Sequence, residues 1–291
     1  MRNDKPNCYH TPMRIDAHVH AFPKAMALHR DRYAARDATF RELYAHPKAA
    51  IATVDRLLES MDAAGIDLSV LTNIGWATAA MCRETNDYIL DAARRHPKRL
   101  IPFCTVNPRL GKQAVAEIER CAALGAHGIG ELHPDPQGFD LADKRVMSPI
   151  VDAAMRHDLV VLCHASEPVG HAYPGKGTVT PQVLYRFVTN FPEARIVLAH
   201  WGGGLPFYAL MPEVRRALAN VWFDTATSPF LYEPGIWQAA ASVVGPDRIL
   251  FGTDYPLIKQ ERLLCEVENA SLPEKAKRAI LGMNAARLLG L

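Results

Sequence analysis

The chain lacks the marks of several large protein classes. None of its apolar runs approaches the roughly 20 residues that a membrane-spanning helix needs. The polar stretch at residues 1–12 carries no apolar segment, so no secretory signal is expected in it. No long basic run is present, and 33 Lys and Arg against 31 Asp and Glu leave a net charge of +2. That balance argues against an electrostatic nucleic-acid binder and gives no reason to expect a membrane surface as partner. The 6 cysteines form no Cys-x-x-Cys pair, and 4 of them sit inside apolar runs. They read as buried free thiols in a reducing, cytoplasmic compartment rather than as disulfides or a zinc knuckle. No Gly-x-Gly-x-x-Gly turn follows an early strand, which counts against a doubly wound dinucleotide fold.

What the chain does have is histidine, 12 copies, none beyond His200. His96 and His157 end helical patterns, where a cation meets the helix dipole favourably, and His29 and His46 fall in a polar excursion. His18, His20, His133, His164 and His200 stand apart from the others, all at the ends of apolar runs. The first pair sits in Asp16-Ala17-His18-Val19-His20, after an alternation of Met13, Ile15 and Ala17 with Arg14 and Asp16. Residues two apart on a strand share a side, so His18 and His20 are expected to project together at a strand end.

A polar, partly helical excursion from about residue 21 to 50 follows, long enough to be a lid or rim. Beyond it the chain repeats one pattern: apolar run, polar loop, amphipathic helix. Strands are expected at Asp67–Thr72, Leu100–Val106, Ala126–Glu131, Leu159–His164, Arg195–His200, Val221–Asp224 and Arg248–Asp254. Helices are expected at about Ile51–Ala64, with Gly65 as stop, then at Arg83–Arg95, about Val115–Leu124, Pro149–His157, Gln182–Asn190 and the tail Pro273–Leu289. Strands apolar throughout and separated by helices imply a parallel sheet buried on both faces. With the first strand, eight such units in 291 residues suit a single-domain α/β fold, a (β/α)8 TIM barrel spanning 13–291 behind the 1–12 leader.

In such a barrel, functional side chains come from the C-terminal strand ends. Read in order, those ends supply His18, His20, Glu131, His164, His200 and Asp254, with His133 close behind. A buried Glu131 or Asp254 is costly unless a cation or a hydrogen-bond network compensates it. Imidazole and carboxylate donors without a thiolate suit a divalent metal at the C-terminal ends of the strands, Zn2+ first and Mn2+ or Fe2+ as alternatives.

These strings, together with DAHVH, GIGELHP, LCHASEP, LAHWGGG, FGTDYP and the terminal NAARLLGL, resemble the amidohydrolase superfamily. The resemblance is to the amidohydrolase-related branch that includes aminocarboxymuconate semialdehyde decarboxylase and pyrone-dicarboxylate lactonase. It implies that His18, His20, His164 and Asp254 touch a metal, and that His200 is a second-metal ligand or polarises substrate. Where some members carry a carboxylated Lys, this chain has Glu131, as in TatD-type hydrolases, so the count stays open at one or two ions. It also allows a homodimer.

Phe22, Trp76, Trp201 and Tyr255 follow strand ends and are candidate pocket lining, as is His133. The loop from Glu167 to Gly177 offers His171, Tyr173 and Lys176 to an anionic or oxygenated small-molecule substrate. The run Gly202-Gly203-Gly204 lets the chain turn tightly beside His200. The leading expectation is hydrolysis of an ester, lactone or amide by a metal-activated water, with Asp254 moving the proton and His200 stabilising the oxyanion. The alternative is non-oxidative decarboxylation of an aromatic or dienoic carboxylate by the same donors. A TatD-like nuclease and a non-catalytic metal-binding barrel stand behind both.

Overall fold

Parallel neighbours can be joined only by crossovers, and this chain places a helix between consecutive strands throughout. The computed structural model describes residues 13–291, so the leader expected at 1–12 lies outside the described residues. The strands are β1 (Ile15–Val19), β2 (Leu68–Leu71), β3 (Leu100–Cys104), β4 (Gly128–Leu132), β5 (Val160–Cys163), β6 (Ile196–Leu198), β7 (Val221–Asp224) and β8 (Ile249–Leu250). They form one parallel 8-stranded sheet in sequence order. The ends meet where Ala17 N donates to Phe251 O at 2.7 Å and Val19 bridges Tyr255 in parallel. The result is a single-domain (β/α)8 barrel.

Several elements differ from the sequence reading. The strand expected over Arg248–Asp254 is regular only at Ile249–Leu250, and beyond it the run to the site is tied to β1 by the Ala17–Phe251 hydrogen bond and the Val19–Tyr255 bridge. The helix expected from Pro149 starts at Lys144, because the Asp143 carboxylate accepts from Arg145 N at 2.9 Å and caps it, leaving Pro149 inside. The helix expected from Arg83 starts at Ala79, behind the Thr78 cap. The helix Val54–Ala64 stops at Gly65, whose φ of +66° is the left-handed cap that favours glycine.

Side chains inside the barrel form their own layer. Ile15, Ala17, Val70, Ile101, Phe103, Val160, Leu162, Val197 and Leu250 pack there against Ala285 and Leu288 of the terminal helix, which closes the lower end. Outside, strand residues such as Ile129, Leu132, Val161 and Leu198 pack on the helical ring. Truncating a buried leucine such as Leu162 to alanine would cost about 2–5 kcal/mol.

The excursion after β1 carries helices at Lys24–Leu28, Arg30–Arg36 and Ala38–Tyr44. The buried Asp37 carboxylate pins them. It accepts from Thr39 N at 2.9 Å and Phe40 N at 3.2 Å, and from Thr78 N at 2.9 Å and Thr78 Oγ1 at 3.0 Å. Among the described residues no helix is long and apolar enough to cross a membrane.

Candidate metal centre and cavity

Two breaks in strand register aim the central side chains. By alternation, Asp16, His18 and His20 belong on one side, yet Asp16 turns outward to Gln260, whose Nε2 donates to Asp16 Oδ2 at 2.8 Å and to Ser69 Oγ at 3.4 Å. The β1–β2 register shifts between Asp16 and Val19, and beyond that point His18 and His20 both face the barrel mouth. The β4–β5 register shifts between Ile129 and Leu132, so Glu131 points inward although Ile129 and Leu132 both pack outward. Such irregularities are a common way to re-aim one side chain at an active site.

The re-aimed groups meet in two adjoining triads, His18 with His20 and Asp254, and Glu131 with His164 and His200. His18 Nε2 and His20 Nε2 stand 3.1 Å apart, and His20 Nε2 stands 3.1 Å from Asp254 Oδ1. Glu131 lies between the groups, its Oε1 2.9 Å from His164 Nδ1 and 3.3 Å from His200 Nε2, its Oε2 3.6 Å from His18 Nε2. Among the described residues only imidazoles pair with Glu131, Asp224 and Asp254. Ligand atoms about 3 Å apart are what a cation bonded at roughly 2.0–2.2 Å requires. The donor set therefore fits a divalent metal.

The electrostatics agree with a site built for added positive charge. Burial opposes ionisation of Glu131, but His164 and the other imidazoles hold its carboxyl well below the usual range. Burial likewise opposes charge on His200, and Glu131 overrides it, raising the imidazole to about 9. Burial acts the same way on His18, where Asp224 and then Glu131 hold the ring well above its usual value. His133 stacks on His164 with centroids 3.9 Å apart, and burial followed by the charge of His164 keeps it neutral.

Two carboxylates that sequence reasoning did not use stand behind these donors. Asp224 at the end of β7 faces His18 Nδ1 at 2.8 Å through Oδ2, while its Oδ1 accepts from His200 N and Ala226 N, each at 3.0 Å. A carboxylate at Nδ1 fixes the tautomer that leaves Nε2 free as a ligand. The available signal was the acid ending the apolar run Val221–Asp224. Asp16 accepts from Thr253 N at 3.0 Å and Thr253 Oγ1 at 2.7 Å, tying β1 to the residue before Asp254. Burial raises its carboxyl to about 6 against the lowering effect of Thr253 and Gln260.

Backbone strain is concentrated here. His200 (φ +54°), Trp201 (φ +55°) and Asp254 (φ +62°) are left-handed, a conformation costing non-glycine residues about 1–3 kcal/mol each. Asp224 holds the His200 amide, and His18 O accepts from Asp254 N at 2.8 Å, which offsets that cost. The turn continues through Gly203 (φ +58°), where a Cβ would stand 2.3 Å from Ser166 O, so only glycine passes beneath the loop after β5.

His20, Glu131, His133, His164, His200 and Asp254 form the floor of a cavity of about 550 Å3. Leu43, Tyr44, Ala49 and Ala50 of the excursion wall one side, His171, Tyr173 and Pro174 another, and Phe230, Leu231 and Leu257 the rest. Of the aromatics proposed as lining, Phe22 stacks behind His20 with centroids 6.2 Å apart, and Trp76 is wholly buried, its Nε1 donating to Thr85 Oγ1 at 2.9 Å. Trp201 packs outward on Trp237 and donates to Ser228 Oγ at 3.0 Å, while Tyr255 donates its hydroxyl to Arg56 O. The Lys176 ammonium closes its own loop on Val169 O at 2.7 Å and His171 O at 2.9 Å. None of these five side chains is in the cavity wall.

A family model described as Amidohydrolase matches residues 15–291. A 6-methylsalicylic acid decarboxylase from Penicillium expansum is 26% identical over 308 residues, covering 92% of this chain and 93% of that protein. A gamma-resorcylate decarboxylase from Polaromonas sp. is 24% identical over 291 residues, covering 81% and 87% respectively. Among solved structures, a 5-carboxyvanillate decarboxylase from Novosphingobium aromaticivorans, complexed with manganese and 4-hydroxy-3-methoxy-5-nitrobenzoic acid, superposes with a TM-score of 0.77 at 20% identity over 97% of each chain. These relatives overturn the expected hydrolysis of an ester, lactone or amide in favour of the lyase alternative. The error has a physical origin: both chemistries use the same strand-end donors, so the motifs do not separate them.

Proposed function

The chain belongs to the amidohydrolase family, and on that premise we propose that it is a metal-dependent, non-oxidative decarboxylase of a hydroxylated aromatic carboxylate. The observation that carries this reading is a floor of buried imidazoles and carboxylates beneath a cavity whose walls are largely apolar and which has room for an aromatic acid. The relatives named as decarboxylases support it.

His18, His20, His164 and Asp254 would hold the divalent cation, with Glu131 and His200 beside them. Manganese is the first choice from the solved relative, and zinc suits the same donors. When bound, the cation supplies positive charge that anchors substrate oxygens and disperses negative charge from the breaking bond. Asp254 is the floor carboxylate most open to the cavity, its side chain 16% exposed against 3% for Glu131. It is placed to give a proton to the ring carbon that bears the carboxylate. The carbon–carbon bond then breaks, its electron pair returns to the ring and restores the aromatic system, and carbon dioxide leaves. His200 is held in orientation by Ala226 O at 3.2 Å and Thr227 Oγ1 at 3.1 Å from its Nδ1, with Nε2 toward Glu131. His133, neutral and stacked on His164, offers the ring a flat polar edge.

The test is carbon dioxide release from a panel of hydroxybenzoates by protein of measured metal content, with lactones, esters and amides run in parallel. Release from at least one aromatic acid is expected. Hydrolysis of the second set with no carbon dioxide from the first would refute the proposal.

A further inference from the structure

Glu42, His46, Lys48 and His171 on the cavity wall are exposed, and two further polar groups there are engaged by protein neighbours. The Tyr173 hydroxyl donates to Glu167 at 3.0 Å, and Thr227 Oγ1 faces His200. Tyr44 is different. Its ring is wedged against Phe22, Phe40 and Trp76, with centroids 5.2, 5.6 and 6.1 Å away, and each of those rings is buried. Its carbonyl accepts from Arg30 Nη1 at 2.7 Å, so the backbone beneath the ring is held as well. Among the described residues the Tyr44 hydroxyl makes no hydrogen bond to protein, and it is not one of the fully buried unpaired atoms, so it opens onto the cavity that Tyr44 lines. Burial, then the nearby charges of Asp254 and Glu131, keep the phenol protonated, a donor without an acceptor. Leu43, Ile74, Phe230 and Leu257 of the same cavity carry no acceptor side chain.

A rigid donor left unpaired beside an apolar ring site favours any ligand that brings it an acceptor. We propose that the Tyr44 hydroxyl is a specificity-determining donor that binds an oxygen substituent on the substrate ring, so that the enzyme prefers aromatic acids carrying a ring hydroxyl beyond the one adjacent to the carboxylate. This rests on the decarboxylase reading of the same cavity. It assigns to the excursion after β1 the choice among acids, while the barrel floor carries the reaction.

The experiment compares kcat/KM for salicylate and for its singly hydroxylated derivatives, in the wild-type enzyme and in Tyr44→Phe, which keeps the aromatic packing. The wild type is expected to favour its best derivative over salicylate by about tenfold to a hundredfold, and Tyr44→Phe to lower that ratio by about tenfold or more. Calorimetric affinities of resorcinol and phenol for both proteins read the same contact without turnover, and their ratio should fall in parallel. A ratio unchanged by Tyr44→Phe, or a variant that loses all acids equally, overturns the inference while leaving the decarboxylase reading in place. No carbon dioxide from any acid with the wild type overturns that reading and this inference with it.

Discussion

The floor and the wall of the cavity are held by different means. The floor stands on strand ends, with left-handed backbone at His200 and Asp254, two register breaks, and a second layer of carboxylates in Asp224 and Asp16. The wall from the excursion stands on a few polar clamps and an aromatic cluster. Asp37 caps one helix, Arg30 Nη2 donates to Ala49 O at 2.9 Å, and Phe40 packs on Trp76. The floor is over-determined by the barrel, and strain persists only where surroundings enforce it. The wall is an attachment that the barrel does not need for closure. On the proposed function, reaction type belongs to the floor and substrate choice to the wall.

The comparison breaks first if the cation is dispensable. Stripping metal with a chelator should abolish carbon dioxide release, and readdition of manganese or zinc should restore it. It should also lower thermal stability, since a ligand at a hundred times its dissociation constant contributes about 2.7 kcal/mol. Full activity in protein shown metal-free by elemental analysis would remove the floor's central assumption.

Next in size is Asp254→Asn. It should lower kcat by roughly 10²- to 10⁴-fold, the range of a lost acid–base group, with most of the metal retained. Turnover near wild type would move the proton transfer to another residue.

Asp224→Asn tests the layer behind the floor. Metal affinity should fall about 10- to 100-fold, read by titration against a competing chelator, and saturating metal should recover most of the turnover. An unchanged affinity would mean that the 2.8 Å contact with His18 does not govern the ligand's tautomer.

The smallest effect is expected in the wall. Arg30→Ala removes the donors to the carbonyls of Tyr44 and Ala49 and should raise KM about three- to tenfold, with a stability loss of about 1–2 kcal/mol by thermal denaturation. A fall in kcat as large as that of Asp254→Asn would erase the distinction between floor and wall.

Much of this division was legible before any coordinates. The eight apolar runs, their helical spacers and the acids and imidazoles at their ends rest on local periodicity, which composition and sequence neighbours dictate. That is why the barrel, and the gathering of His18, His20, Glu131, His164, His200 and Asp254 at its mouth, follow from the chain itself. The same local rules do not find the outward turn of Asp16, because a strict period of two cannot announce a register break. They also put Trp201 and Lys176 in the pocket, where a left-handed turn sends one outward and neighbouring carbonyls hold the other.

The remaining decisions were tertiary. Asp224 meets His18 across 206 positions of chain, and Tyr44 reaches the cavity only because a helical excursion folds back over the mouth. Such contacts join segments whose proximity no local pattern encodes. The sequence by itself determined a barrel with imidazoles and carboxylates gathered at its mouth, since alternation and strand ends are properties of short stretches. Only the packed structure decided which side chains stand behind the clustered imidazoles and which face the cavity, since those depend on register, backbone hand and the path of distant loops.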